Sequence, residues 1–380
     1  MRSPTDSALA RRDLTDLPAA ERGRTASPGA FRVSGATLEP LALSIGALAL
    51  ALALFGVFVR LGGRDPLAVY SALYVGAFGT RFSIEGTLTQ AAPIILTALC
   101  TALPARVGLL VIGGEGALVL GGLFAVLGAT AAGAAPPALG MLVALVAGAG
   151  AGAAWIAAVG VLKHLRGVNE TIASLLLNYI AIALFNHLIS GPMRDYSQTL
   201  KAQSWSVPAA FQIGTIPGWS VHWGLVIGVC ACIVLFVVLR HTTLGFAMDV
   251  LGGNRRAAQA AGLPIGRLLI LACAIGGGAA GLAGAIEVLA VHGAASESLI
   301  VGFGYTGILV AFLARQNPLA IVPVALLVGG ITASGGLLQR RFDMPDATTQ
   351  VLEGLILGES ADDLRPFEAE SFAKSLMGLV

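Results

Sequence analysis

Ten apolar runs follow one another along this 380-residue chain, near 39–60, 86–104, 107–131, 138–162, 171–190, 221–240, 267–291, 299–315, 318–336 and 346–360. Each is about long enough, as a helix, to cross the ~30 Å hydrocarbon layer of a bilayer. In hydrocarbon every backbone polar group must find its partner inside the protein, so only helices or a closed barrel can span. A barrel does not suit a chain dominated by Ala, Gly, Leu and Val with 6% aromatic residues, which lacks alternating strands and aromatic girdles. Charged residues make up 12%, against about 25% in soluble domains. The expected fold is therefore all-α, a polytopic membrane bundle of about ten transmembrane helices.

Two places in that plan are irregular. Only Pro104-Ala-Arg106 separates the second run from the third, and the third is interrupted by Gly113-Gly114-Glu115-Gly116, so a broken helix is expected there. The tenth run carries Glu353.

Orientation follows from the basic residues. With the amino terminus in the cytoplasm, sixteen Lys and Arg fall inside and seven outside, the latter being Arg60, Arg64, Arg81, Arg194, Lys201, Arg340 and Arg341. Without the tails the ratio is eight to seven, so the bias rests mainly on Arg2, Arg11, Arg12, Arg22, Arg24 and Arg32. Residues 1–37 lack the apolar core and cleavage site of a signal peptide and read as a disordered cytoplasmic tail. Residues 38–362 form the transmembrane domain and 363–380 a cytoplasmic carboxy-terminal tail. The loop 241–266 falls inside; the loop 191–220, with Trp205 and Trp219, falls outside.

No residues here cradle a nucleotide. A phosphate-binding P-loop needs Gly-Lys-Ser/Thr, and Lys163, Lys201 and Lys374 are not preceded by glycine. Gly302-Phe-Gly304-Tyr-Thr-Gly307 fits a dinucleotide fingerprint by spacing, but it opens an apolar run rather than a βαβ unit, so small residues letting helices approach explain it. The same reading covers Gly148-x-x-x-Gly152 and Gly277-x-x-x-Gly281. Cys100, Cys230, Cys232 and Cys273 all lie inside apolar runs, without metal or redox spacing, and read as packing residues. With no nucleophile beside a base, neither an enzyme, a cofactor nor a metal is expected, and a net charge of +2 gives no reason to expect nucleic acid.

Ionisable residues at membrane depth are costly and so are candidate sites. Glu115, among glycines that allow a break, either lines a watery cavity or bonds backbone amides at that break. Glu287 and His292 lie late in or beyond their run and read as interfacial and solvated. In Gly167-Val-Asn-Glu-Thr-Ile-Ala-Ser-Leu-Leu-Leu-Asn-Tyr-Ile180, Asn169 suits an N-cap, with Glu170 and Thr171 in the first turn. Ser174, Asn178 and Asn186 cap nothing. They make a polar stripe that either bonds neighbouring helices or lines a pathway for a hydroxyl-rich solute.

Four segments in order resemble the membrane permease subunits of bacterial ABC importers, the branch for nucleosides and simple sugars, related to the ribose and branched-chain amino acid permeases. They are Pro104 to Gly116, Gly167 to Ile180, Gly252-Gly-Asn-Arg-Arg-Ala-Ala-Gln-Ala-Ala-Gly262, and Gly302 to Gly307 followed by Asn317-Pro318. The first departs from the family pattern in having Val111 where Asn usually precedes Ile-Gly.

The resemblance implies a second permease subunit, like or unlike this one, cytoplasmic ABC ATPase subunits and an extracytoplasmic solute-binding protein, all at the bacterial inner membrane. It also implies that Gly252 to Gly262 is a coupling helix seated in the ATPase, with Asn254, Arg255, Arg256, Ala257, Ala258 and Gly262 at the contact. Glu115, Ser174, Asn178 and Asn186 are the expected pathway residues, and Gly113, Gly114 and Gly116 the expected break. A branched-chain amino acid permease, an ion-driven secondary transporter using Glu115, and a membrane enzyme acting on a lipid-linked substrate are the competing readings.

Overall fold

The computed structural model describes residues 38–197, 201–345 and 347–362. The expected tails, 1–37 and 363–380, lie outside the described residues. Contacts divide the chain into a short unit, Met1–Gly46, and a main unit, Ala47–Val380, and the description that follows is of the main unit.

Helices α1 (Leu38–Leu61), α2 (Pro66–Tyr74), α3 (Arg81–Arg106), α4 (Gly114–Ala132), α5 (Pro137–Arg166), α6 (Glu170–Ser190) and α7 (Gly224–His241) make up the first part of the chain. Two short helices follow, α8 (Thr243–Gly253) and α9 (Arg255–Ala260), then α10 (Ile265–Glu287), α11 (Phe303–Leu313), α12 (Pro318–Phe342) and α13 (Ala347–Asp362). Seven helices are long and apolar enough to cross a membrane: α3 to α7, α10 with its extension to His292, and α12. The remaining expected runs are α1, α11 and α13. Strand pairing among the described residues is limited to three isolated bridges.

Local chemistry sets the helix ends. Asp65, Asn169, Asn254 and Asn317 each accept backbone N–H bonds with the side chain as N-caps, and Pro66 and Pro318 occupy the first turn, where no N–H is needed. Helix α5 stops at Gly167, whose φ of +66° closes the last turn in the left-handed region.

Helices α3, α4 and α10 form the buried centre, and α5, α6 and α7, a smaller part of which is buried, lie around it. Helix α5 packs against α10 through glycines. A Cβ on Gly152, Gly277 or Gly281 would run into backbone of the facing helix, and one on Gly148 into the Gly121 backbone of α4 and the Ala285 side chain of α10, so these helices gain dispersion energy from close backbone approach.

Two features depart from the sequence expectations, and a third, at Glu353, is one they leave open. Residues 66–79 form a further helix, α2, continuing as a π-helical turn over Val75–Gly79. Glu287, expected to be solvated, is buried, with His292 Nε2 3.7 Å from its carboxylate across a second π-helical turn, Val288–His292. Glu353 is also buried and accepts hydrogen bonds from Thr306 at 3.2 Å and Thr332 at 2.9 Å, which ties α13 to α11 and α12.

Candidate functional site

Between α3 and α4 the chain leaves helical geometry from Val107 to Gly113, and Gly108 has a φ of +78°. Val107, Gly108 and Leu109 still donate to the last carbonyls of α3, whereas Leu110 to Ile112 lie outside any helix in a buried or half-buried setting, where unmade backbone bonds are expensive. Helix α6 supplies replacements. Thr171 donates to the Leu110 carbonyl at 3.1 Å, Ser174 accepts from the Ile112 N–H at 3.0 Å, and Asn178 Oδ1 accepts from the Gly116 N–H at 2.6 Å. Residues 171, 174 and 178 follow the i, i+3, i+7 spacing of one helix face. They form a ladder that runs beside the broken segment.

The break falls a few residues before the glycine cluster. Gly113 is the N-cap of α4, and Gly114 and Gly116 lie inside its first turn. Their missing side chains admit neighbours: a Cβ on Gly116 would press on Ala181 at 2.8 Å and Asn178 at 3.0 Å, and Gly114 lies against the backbone of Gly304.

Glu115 is buried, 1% exposed. Its two carboxylate oxygens accept the backbone N–H groups of Gly302 at 2.8 Å and Gly304 at 2.6 Å, at the start of α11. The N-terminal ends of two helices, α4 and α11, therefore meet around one carboxylate. Each end carries roughly half a positive elementary charge, and the carboxylate offsets both.

The first turn of α11 is held from other sides too. Thr97 on α3 donates to the Phe303 carbonyl at 2.9 Å, and Asn178 Nδ2 donates to the Tyr305 hydroxyl at 2.8 Å. Asn178 thus bridges α4 and α11 from α6. The structure brings Glu115, Ser174, Asn178 and the three glycines into one cluster. Asn186 stands apart: its Oδ1 is buried and has no hydrogen-bond partner among the described residues. Val111 is buried in an apolar cluster with Cys100, Leu103 and Ile156, and its carbonyl faces Thr101.

The expected coupling segment folds as α8 and α9, with Asn254 ending one and capping the other. Arg255, Arg256, Ala257 and Gly262 are exposed, whereas Ala258 is fully buried within the chain. Helix α8 lies against the end of α3. Arg106 Nε is 3.3 Å from the Asp249 carboxylate, and a Cβ on Gly252 would overlap the Arg106 carbonyl oxygen. The same end of the bundle carries the Lys163–Glu170 ion pair at 2.6 Å, which joins α5 to α6.

At the opposite end, residues 201–223 fold over the α10–α11 connection. Ser204 N–H donates to the Ala295 carbonyl at 2.8 Å, and Ile213 N–H to the Leu289 carbonyl at 2.9 Å. Arg81, paired with Glu85, stacks over the Trp219 ring and reaches the Gly218 carbonyl. No group of three or more His, Cys, Asp or Glu among the described residues is placed to hold a metal ion.

A bundle with seven helices long and apolar enough to cross a membrane, a non-helical stretch just before a buried carboxylate and a pair of short helices at one end has the make-up of a multi-pass membrane protein. The chain belongs to the family described as branched-chain amino acid transport system / permease component, whose model matches residues 83–358. It is 31% identical over 324 residues to a guanosine ABC transporter permease of Bacillus subtilis, covering 84% of this chain and 92% of that one. It is 30% identical over 320 residues to a glucose ABC transporter permease of Haloferax volcanii, covering 81% and 83%. A nucleoside ABC transporter permease of Lactococcus lactis is 29% identical over 284 residues, covering 72% and 78%. The chain is thus a multi-pass permease subunit of an ABC transporter. It is not itself an enzyme, and ATP hydrolysis belongs to a separate ATPase subunit.

Sequence reasoning found the carboxylate, the stripe and the glycines but missed the residues they hold. Gly302 and Gly304 were read only as packing, and Thr171 only as part of a helix start. The signal available was the 171, 174, 178 spacing, which includes a third hydroxyl or amide on the same face.

Proposed function

We propose that this chain is the permease of an ATP-driven importer for uncharged, hydroxyl-rich solutes, nucleosides foremost or simple sugars. The observation that carries this reading is the occupancy of the helix-end site by Glu115. Where two helix N-termini meet at membrane depth, they make a ready site for an anionic solute group. Here the protein's own carboxylate occupies it through both oxygens. An amino acid carboxylate would find those N–H donors already taken, whereas a neutral ring-bearing solute does not need them. The guanosine, glucose and nucleoside permeases named above support the same solute class.

In this reading two permease subunits pair, two ATPases bind the cytoplasmic face, and an extracytoplasmic binding protein delivers solute and sets most of the selectivity. The amino and carboxyl termini lie in the cytoplasm of a bacterial inner membrane. ATP closes the ATPases, Arg255, Arg256, Ala257 and Gly262 move with them, and the permease pair rocks between outward and inward access. Glu115, Ser174 and Asn178 hold the break that shapes the pathway, and Asn186, with its unmet oxygen, lies farther along α6. The test is uptake into vesicles holding the full complex. Accumulation of a nucleoside or sugar that needs ATP and survives an uncoupler is expected. Accumulation of branched-chain amino acids alone, or loss of uptake with the uncoupler, refutes the proposal.

A further inference from the structure

Tyr179 is the tenth residue of the twenty-one-residue helix α6, which at ~1.5 Å per residue places it near the middle of the span. It is 59% exposed, and its hydroxyl makes no hydrogen bond to another described residue. Tyr305, 42% exposed, sits at the same depth, because its hydroxyl meets the amide of Asn178, the residue before Tyr179. Tyr305 also lies within electrostatic reach of Tyr179 and Glu115.

Two half-exposed phenols at mid-membrane are out of place on a lipid-facing surface. Tyrosine normally sits at the membrane–water boundary, where its ring is apolar and its hydroxyl wet. A hydroxyl facing hydrocarbon has nothing to bond with, and burying a polar group unpaired is costly. The buried groups of Ser174 and Asn178 are already used in holding the break, so they leave little to offer a passing solute. The two tyrosines offer ring faces and hydroxyls, flanked by the exposed side chains of Leu176 and Ile180.

We propose that Tyr179 and Tyr305 form the solute-contacting platform of the pathway at the membrane midplane, taking a flat, uncharged ring on their faces while their hydroxyls meet the solute's polar edge. This rests on the transport reading above and names residues for it. The buried polar cluster then positions Tyr305 through Asn178 rather than touching solute.

The test uses cysteine reactivity in the full complex in vesicles. Tyr179→Cys is introduced into a chain whose exposed native cysteine is removed by Cys230→Ser, with Val234→Cys, an exposed mid-helix position on α7, as the lipid-facing comparison. A hydrophilic thiosulfonate reagent is expected to label position 179 and not 234, and guanosine, ribose or glucose with binding protein is expected to slow labelling at 179 at least tenfold. Three results would overturn the proposal: an inert position 179, labelling that none of these solutes slows, or an oxidant-driven disulfide between two copies through position 179. Uptake by the unsubstituted complex is measured beside it, so failure of the transport reading is seen separately from failure of the platform. If Tyr179→Cys does not assemble, Tyr305→Leu against Tyr305→Phe serves instead. The Phe variant is expected to keep, and the Leu variant to lose, the preference for a base-bearing nucleoside over free ribose, and equal preference in both overturns the platform.

Discussion

The carboxylate of Glu115 accepts the backbone N–H of Gly304 at 2.6 Å, across 189 residues of sequence. Gly304 can come that close only as glycine, since a Cβ there would overlap the Glu115 backbone. Two broken stretches of the chain, 107–113 before α4 and 293–302 before α11, thus deliver their helix starts to one point. One negative side chain there satisfies two orphan donors and offsets two dipole ends.

Glu115→Gln keeps the size but replaces one accepting oxygen with a donor that faces a backbone N–H. The expected loss is about 1.5–3 kcal/mol, the range for hydrogen bonds to a charged group, with Glu115→Ala at least as damaging. The thermal midpoint of the purified complex measures it. An unchanged midpoint in Glu115→Gln would show that the second of the two accepted N–H bonds adds nothing to stability.

Ser174→Ala and Asn178→Ala each remove the acceptor for one backbone N–H, that of Ile112 in the broken segment or that of Gly116 in the first turn of α4. Each is expected to cost about 1–3 kcal/mol. Amide hydrogen exchange should accelerate locally, at Ile112 in the first variant and Gly116 in the second. Uniform acceleration across the bundle would instead mean that the ladder is not a local brace.

The spanning helices were legible because each apolar run matches a bilayer-length helix, and Asn169 could be read as a cap from its place before Glu170. Helix α2 was not, since Tyr70, Ser71 and Tyr74 dilute a stretch too short to register as a span. The break was anticipated from Gly113 to Gly116, yet it falls at 107–113, because those glycines serve close approach to Gly304, Asn178 and Ala181 rather than chain reversal. What no local pattern carries is the pairing of Glu115 with Gly302 and Gly304, a tertiary relationship between distant segments. Tyr179 and Tyr305 escaped notice for another reason: their exposure at mid-span, not their residue type, is the signal.

His222 lies outside the spanning helices, buried, with Nδ1 accepting the Gly224 N–H at 3.1 Å. Burial holds its pKa below the ordinary 6.5. A base whose folded pKa is depressed binds fewer protons folded than unfolded, so its stabilising contribution is present above about pH 6.5 and is lost as pH falls toward the folded value. The thermal midpoint should therefore drop between pH 7 and pH 5, and His222→Gln should flatten part of that slope. An identical slope in the variant would assign the acid sensitivity to other groups.

Gly284 and Gly150 offer a matched pair on adjoining helices. A Cβ on Gly284 would overlap the Leu118 carbonyl oxygen, whereas one on Gly150 meets nothing within 4 Å. Gly284→Ala is expected to prevent stable assembly of the α4–α10 contact. Gly150→Ala should be neutral or stabilise by roughly 0.5–1 kcal/mol, since alanine is the better helix former. Yield and thermal midpoint of the two variants decide between them.

The proposed coupling segment supplies a pair of neighbours with opposite expectations. Gly252 lies directly against the Arg106 carbonyl, so a push on α8 reaches the end of α3 and the broken segment that begins at Val107; Gly253 faces open space. Gly252→Ala should wedge α8 away from that carbonyl and lower uptake at least tenfold while the complex still hydrolyses ATP. Gly253→Ala should leave uptake unchanged, since its new methyl group meets nothing. Arg106→Gln should have a smaller effect than Gly252→Ala, because a partly exposed ion pair such as Arg106–Asp249 contributes about 0–1 kcal/mol. For the ATPase contact itself, Ala257→Trp is a cleaner probe than Gly262→Trp. Ala257 is exposed on a helix, while Gly262 has a φ of +70° that strains any side chain. Ala257→Trp should abolish co-purification of the ATPase with the permease. Normal co-purification and uptake in that variant, alongside normal uptake in Gly252→Ala, would remove α8 and α9 from the coupling route.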